Sequence, residues 1–431
     1  MNVLLVGHAC SPRMGSEPSF TWNWGWHVSQ TNPVWLLAHP HERQAVEDFL
    51  LQHPNNNLHI HWIELPTVLD PWDPQQGEKW IRLHYLLWQR IAYKKAVELH
   101  REVGFDVVHH VSWGTVSAAP LLWKLPIPFV WGPVGGGQST PSAFRACFGL
   151  HWPIEAIRNA RLRVLPFIPA LRLAAAKSAV ILATNSETGK LFAAMGASRV
   201  RRFLDSGVPS TLFSGSTRNR SDGEALTLLW AGRMERRKAL PLALEALAQV
   251  RELQVRLMVA GEGEMREQWQ RQAKSLRIDD RVEFLGKVPW SRMSSLYEIA
   301  DAFVFTSLRD AFGTQVLEAM AHELPILTLN HQGMAWFVPE DAGIKVPVTN
   351  PHDTVTELAK GIRSLALSPQ QRKRMGKAAF EFAQTQTWDK RTQRILQIYE
   401  EAKIEHTNRN TKNQHYWVRA NRRDYKEYDA H

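Results

Sequence analysis

Short apolar runs, each the length of one buried strand, alternate with helix-length amphipathic segments along nearly the whole chain, which restricts the fold to layered α/β forms. Residues 3–6, 34–38, 106–109, 128–131 and 179–184 read as strands of one sheet, and 226–231, 255–260, 282–285, 302–306 and 325–329 as strands of another. Runs that are apolar on both faces and separated by helices are what a parallel sheet covered on both sides requires. A chain of 431 residues exceeds one compact core and suits two such domains.

The two series separate at 205–224, where Ser206-Gly-Val-Pro-Ser210 leads into a polar stretch without apolar period, and the interdomain linker is placed there. The reading is a first Rossmann-like domain over 1–205 and a second over 206–386. A closing helix over 387–404 is expected to pack back on the first domain. The polar remainder, 405–431, is expected to be a disordered basic tail. Two doubly wound sheets in tandem form a central cleft at the carboxyl ends of their strands, where ligands of such sheets bind.

A net charge of +10 calls for anionic company: nucleic acid, anionic lipid or a phosphorylated substrate. The basic residues are spread over both halves without a nucleic-acid reading motif, so nucleic acid ranks last. Cys10 and Cys147 are the only cysteines, too few for a disulfide framework or a metal cluster, which fits a reducing compartment. The opening Met1-Asn-Val-Leu-Leu-Val-Gly7 reads as a buried strand rather than a leader. The longest apolar candidate, 164–183, is interrupted by Pro166, Pro169, Arg172 and Lys177 and does not span a membrane. A cytoplasmic location is expected. Two basic, aromatic stretches, 79–95 and 145–177 (with Trp152, Arg158, Arg161, Arg163 and Arg172), suit either the anionic inner face of a plasma membrane or ordinary solvated helix faces.

The strongest motif runs from a strand into a helix: Asp301-Ala-Phe-Val-Phe-Thr-Ser-Leu-Arg-Asp310-Ala-Phe-Gly313-Thr-Gln-Val-Leu-Glu318. Gly313 lets a ligand approach the backbone, and the free amides of the following helix turn, with their partial positive charge, offer a seat for a diphosphate. Asp310 is placed to accept hydrogen bonds from sugar hydroxyls, and Glu318 from a ribose diol; two solvated acids at a helix start are the plain alternative. A second motif, Gly232-Arg233-Met-Glu-Arg-Arg-Lys238, follows another strand and aims cations at the same place.

These motifs resemble those of family-4 glycosyltransferases of the GT-B architecture, from Met1 to about Ile404. The 310–318 spacing is similar to that family's E-x7-E motif, with Asp310 one methylene shorter, and Gly232-Arg233 with Lys238 resembles its G-R-x4-K motif. Val259-Ala-Gly-Glu-Gly263, Phe284-Leu-Gly286 and Asp301-Ala-Phe-Val are similar to the family's strand and turn landmarks in the same order, and the N-terminal half adds Gly15-Ser-Glu-Pro18, Asp106-Val-Val-His109-His110 and Trp131-Gly-Pro-Val-Gly135-Gly-Gly137. The resemblance implies retaining, hexosyltransferase-type transfer from a nucleoside diphosphate sugar to a sugar or lipid-linked acceptor in polysaccharide or glycoconjugate synthesis. It implies no metal and no further cofactor, and the chain has no Asp-x-Asp triplet. Catalysis would rest on Arg233, Lys238, Asp310, His109 and His110, and donor binding on Gly15, Gly232, Gly263, Ala311, Phe312, Gly313, Thr314 and Glu318. For either histidine a core residue bonding a backbone carbonyl is the other reading. A sugar-nucleotide-binding protein that kept the fold and lost catalysis is the alternative function. A dinucleotide-dependent oxidoreductase is disfavoured, since the first strand is not followed by Gly-x-Gly-x-x-Gly.

Overall fold

A computed structural model describes residues 1–15, 17–73, 77, 79–213 and 225–427, with side chains as far as Asn408. The first sheet has seven parallel strands: β1 (Val3–Gly7), β2 (Val34–Ala38), β3 (Leu58–Trp62), β4 (Val107–Ser112), β5 (Phe129–Val134), β6 (Val180–Ala183) and β7 (Val200–Arg202), in the order β3-β2-β1-β4-β5-β6-β7. The second has six: β8 (Leu226–Ala231), β9 (Val255–Ala260), β10 (Val282–Gly286), β11 (Ala302–Phe305), β12 (Ile326–Leu329) and β13 (Gly343–Val346), in the order β10-β9-β8-β11-β12-β13, also parallel. In each sheet the order reverses beside its first strand, and the two reversal points face one cleft. The two-sheet α/β reading stands.

Three strands went unread in the sequence: β3, β7 and β13. All are sheet edges. An edge strand bonds on one side only and tolerates polar residues such as those of Leu-His-Ile-His-Trp or Val-Arg-Arg, so its apolar signal is weak. Interior strands such as β1 and β8 are apolar on both faces, with every residue buried. Asparagine caps fix two helix starts: Asn185 accepts the Thr188 amide at 2.8 Å ahead of the helix Ser186–Ala194, and Asn350 the Asp353 amide at 3.0 Å ahead of Pro351–Leu367.

The chain crosses between domains twice, and the crossings lie side by side. Val208 and Thr387 form an isolated parallel bridge, with the Val208 amide donating to Gln386 O at 3.1 Å and the Trp388 amide to Val208 O at 3.1 Å. Gly207 fits here because a Cβ would meet Arg391 and Trp388 side-chain atoms at 2.9 Å. The linker reading of 205–224 covers the first crossing; its 214–224 part lies outside the described residues.

After the second crossing the helix Trp388–Glu427 lies on the first sheet. Trp388, Ile395, Ile398, Tyr399 and Ala402 share a core with Val3, Leu5, Trp24 and Val107. Buried Arg391 stacks over Phe203, 4.5 Å from the ring centre, and donates to Gln386 Oε1 at 3.0 Å. The helix continues through the segment read as a disordered tail, which is a correction: residues 405–427 contain no proline or glycine and include many good helix formers. Residues 428–431 lie outside the described part.

Replacing Tyr399 by Ala removes a fully buried ring and the partner of His109 Nδ1. A loss of ~3–5 kcal/mol is expected, read as a lower urea midpoint by tryptophan fluorescence. An unchanged midpoint would show that this helix is not part of the first domain's core.

Candidate active site

Two loops of the second domain meet at the cleft. The first follows β8 and carries Arg233, Arg237 and Lys238; the second follows β11 and carries Asp310 to Thr314. Lys238 is buried and its ammonium donates to Asp310 Oδ2. Arg237 Nη1 donates to the same oxygen at 3.3 Å and to the Arg309 carbonyl at 3.1 Å, and Ser307 Oγ donates to Asp310 Oδ2 at 3.3 Å. Burial alone would raise the Asp310 pKa, but Lys238 and Arg237 outweigh it and hold the carboxyl below its ordinary range. Burial in turn draws Lys238 down, opposed by the Asp310 charge. Asp310 is thus an ion-paired carboxylate at the cleft wall.

Arg233 reaches outward and pairs with Glu235 at 2.9 Å, its side chain 71% exposed. Gly313 precedes the helix Thr314–Ala321, whose amino end borders the cleft, and a Cβ there would meet Phe305 and Gln315 atoms at 2.9 Å.

The first domain supplies the opposite wall, with Gly15, Glu17, Gly114, Gly135 and Gly136. Gly135 permits the closest approach, since a Cβ would lie 3.1 Å from the Ala311 Cβ. Glu17 Oε1 accepts the Gly114 amide at 2.9 Å. Burial pushes the Glu17 pKa up to about 7, against the pull of that amide and with a further push from Asp205. Asp205 is raised to about 6, chiefly by burial and in spite of Arg391. The cleft, about 480 Å³, therefore holds three cations on one side and weakly acidic carboxyls on the other.

Polar contacts tie the domains together beside it. Gln332 Oε1 accepts the Asp310 amide at 2.9 Å while its Nε2 donates to Ser139 O at 2.9 Å. Arg309 Nε lies 2.7 Å from Glu155 Oε1.

Of the residues singled out in the sequence, Gly15, Arg233, Lys238, Asp310, Ala311, Phe312, Gly313 and Thr314 line this cleft. Gly232 stands just behind the wall, 3.9 Å from the Lys238 Cε to its would-be Cβ. Four residues fall elsewhere. Gly263 packs on the 232–238 loop, where a Cβ would strike Met234 O at 2.6 Å. Glu318 turns into a small neighbouring pocket, accepting Trp290 Nε1 at 3.0 Å and the Tyr297 hydroxyl at 2.8 Å. His109 and His110 correct the expectation of a histidine beside the transferred sugar, because both are buried in β4. His109 Nε2 donates to Gly132 O, and its Nδ1 accepts the Tyr399 hydroxyl at 2.6 Å. His110 Nε2 accepts the Tyr85 hydroxyl at 2.9 Å. Burial lowers these pKa values to about 4 and about 3, so both rings are neutral.

Glu17, Arg237, Asp205 and Gln332 were not singled out. Arg237 sits in the basic loop and Glu17 opens the first helix two residues after Gly15, so position could have suggested both; nothing local marks Asp205 or Gln332.

Comparison with known proteins agrees with this geometry. Residues 216–382 match the family Glycosyl transferases group 1. D-inositol 3-phosphate glycosyltransferase of Kribbella flavida is 30% identical over 191 residues, covering 42% of this chain and 44% of that one. The same enzyme of Thermobifida fusca is 28% identical over 249 residues, covering 53% and 56%. The chain thus spans about half the length of the curated relatives it matches. Sucrose-phosphate synthase from Thermosynechococcus elongatus superposes with a TM-score of 0.65 at 16% identity, over 93% of this chain and 98% of that one. Anabaena HepE in complex with UDP gives a TM-score of 0.61 at 16% identity, over 93% and 100%. The fold is GT-B. Over residues 216–382 the chain matches glycosyl transferases group 1, and its two-sheet arrangement is similar to that of family-4-like glycosyltransferases.

A raised carboxyl pKa means that the folded chain holds a proton the unfolded chain has lost between pH 4.5 and about 7. Stability from this group falls as pH climbs through that window, and the loss is complete above it. Glu17→Gln keeps an acceptor for Gly114 and removes the titration. Relative to the parent it should gain ~2 kcal/mol at alkaline pH and nothing at acidic pH, measured by denaturant unfolding across the range. A pH-independent difference would show an unshifted carboxyl.

Proposed function

We propose that this chain transfers a sugar from a nucleoside diphosphate donor to an acceptor hydroxyl, with retention at the anomeric carbon and no metal at the diphosphate. The observation that carries the reading is the convergence of Arg233, Arg237, Lys238 and the amino end of the helix Thr314–Ala321 on one wall of an interdomain cleft. Cations and oriented amides stabilise charge on a departing phosphate, where a protein assists this chemistry most.

In this reading Lys238 exchanges part of its bond with Asp310 for a phosphate oxygen. Asp310 then accepts hydroxyls of the donor sugar. The acceptor attacks on the face the nucleotide leaves, and the departing phosphate takes the acceptor's proton. With His109 and His110 held in the core, neither serves as acid or base. That Anabaena HepE, of the same fold, forms a complex with UDP supports a nucleotide as ligand. A hexose donor, a cytoplasmic site of action and a role in polysaccharide or glycoconjugate synthesis complete the proposal. The competing reading is a binding protein without catalysis, favoured by the short Asp310 and its ion pair with Lys238.

Lys238→Ala should lower turnover ~100- to 1,000-fold with the fold retained, and Arg233→Ala should lower it less, since Arg233 is outward in the open cleft. A panel of nucleotide sugars, followed by release of nucleoside diphosphate, identifies the donor. Unaltered rates in both variants would remove the catalytic role, and binding without turnover for every donor would leave the non-catalytic protein.

We also propose that the first domain meets an anionic membrane. Among the described residues no helix is long and apolar enough to cross one. Leu150, Ile154, Ile157 and Phe167 are nevertheless exposed, at 97%, 68%, 63% and 74%, in a segment that carries Arg161 and Arg163. Such a face suits the headgroup boundary and a lipid-linked acceptor. Cosedimentation with vesicles should rise with anionic lipid content and fall for Ile154→Asp/Phe167→Asp; equal recovery without anionic lipid would eliminate this surface.

A further inference from the structure

A second cavity, about 680 Å³, opens in the first domain beside the cleft and shares Glu17 with it. Along its wall, where His8, His39, His41 and Trp72 lie, and directly behind it, where Asp70 and His84 lie, is a group of side chains that the proposed transfer does not use. His8 follows β1, His39 and His41 follow β2, Asp70 ends the turn after Thr67–Leu69, and His84 lies on the helix Ile81–Val103. The fold brings these separate segments to one place.

The contacts are close. His84 Nδ1 lies 2.6 Å from Asp70 Oδ1 and its Nε2 3.0 Å from His8 Nε2. The His39 ring stacks on His8 with centroids 5.0 Å apart and meets the edge of His84 at 5.0 Å. Trp72 packs against His8, His39, His41 and His84 at 5.9, 5.4, 5.7 and 4.9 Å and walls the group in.

We propose that His39, Asp70 and His84 bind a divalent transition-metal ion of the zinc class, held away from the diphosphate cleft. One ligand atom from each lies within 4.8 Å of the others, and two imidazole nitrogens with a carboxylate oxygen are donors that such ions accept. Tetrahedral zinc places its ligand atoms ~3.3 Å apart for bonds of ~2.0–2.1 Å. Small rotations of His39 and Asp70, both less buried than His84, close that difference. The ion takes the place of the hydrogen between His84 and Asp70, and His84 then donates its Nε2 hydrogen to His8 Nε2, the outer-shell bond that orients a ligating imidazole. Three protein ligands leave a coordination position for water or for an oxygen of a molecule in the cavity.

The full chain, stripped with a chelator and dialysed, is titrated with Co²⁺ and read by its visible absorption, then with Zn²⁺ against a chromophoric chelator. One equivalent of Co²⁺ should give the intense bands of a four-coordinate ion, and Zn²⁺ should displace it. His84→Ala and Asp70→Asn should each weaken binding at least ~10-fold, while nucleoside diphosphate binding at the other cleft stays unchanged. His39→Ala, at a less buried position, serves should His84→Ala fail to fold. Absence of saturable one-equivalent binding in the parent overturns the site, as does equal affinity in the Asp70→Asn and His39→Ala variants. Nucleotide binding read in parallel separates this failure from failure of the transferase reading.

Discussion

The buried pairing of Lys238 with Asp310 is the constraint around which the cleft is arranged. Burying two charges costs several kcal/mol per ion before their attraction is counted, and this pair is kept by added donors: Arg237, Ser307 and the Ala311 amide, 3.1 Å from Asp310 Oδ1. Those bonds fix the loop after β11 against the loop after β8. Gln332 extends the network across the cleft by holding the Asp310 amide and the Ser139 carbonyl together. The residue that anchors the two loops is thereby also bonded, through its amide and Gln332, to the first domain.

The opposing wall follows from the same electrostatics. Glu17 and Asp205 are half-buried carboxyls without a full ionic partner, and their raised pKa values are the cost of that position. A cleft with cations on one wall and reluctant acids on the other is prepared for a ligand that is anionic at one end and rich in hydroxyls at the other. Gly135, where a larger residue would press on Ala311 across the cleft, keeps the space between the walls clear.

How much of this the sequence disclosed varied with the kind of interaction. Interior strands such as Leu226–Ala231 are legible because both faces are apolar, whereas edge strands such as Leu58–Trp62 are not, since one side is free and polar residues intrude. The segment 310–314 could be read because strand, loop and helix follow one another within a few residues. Asp205 and Gln332 could not, because packing among distant segments gives them their surroundings. His109 shows the limit most clearly. Its residue type and position after an apolar run suggest chemistry, but its partner is Tyr399, 290 positions later. Likewise the acid at 318 keeps its spacing on the helix, while Trp290 and Tyr297 from another helix take up its oxygens.

That distant partner has a consequence for how the chain is made. The core of the first domain includes Trp388, Ile395, Ile398 and Tyr399, contributed after the whole second domain has been threaded. During synthesis the early sheet leaves the ribosome with part of one face, beside the helix Glu17–Val28, still uncovered, and waits for those side chains while the second domain folds. The first half of the protein is therefore the last to be finished.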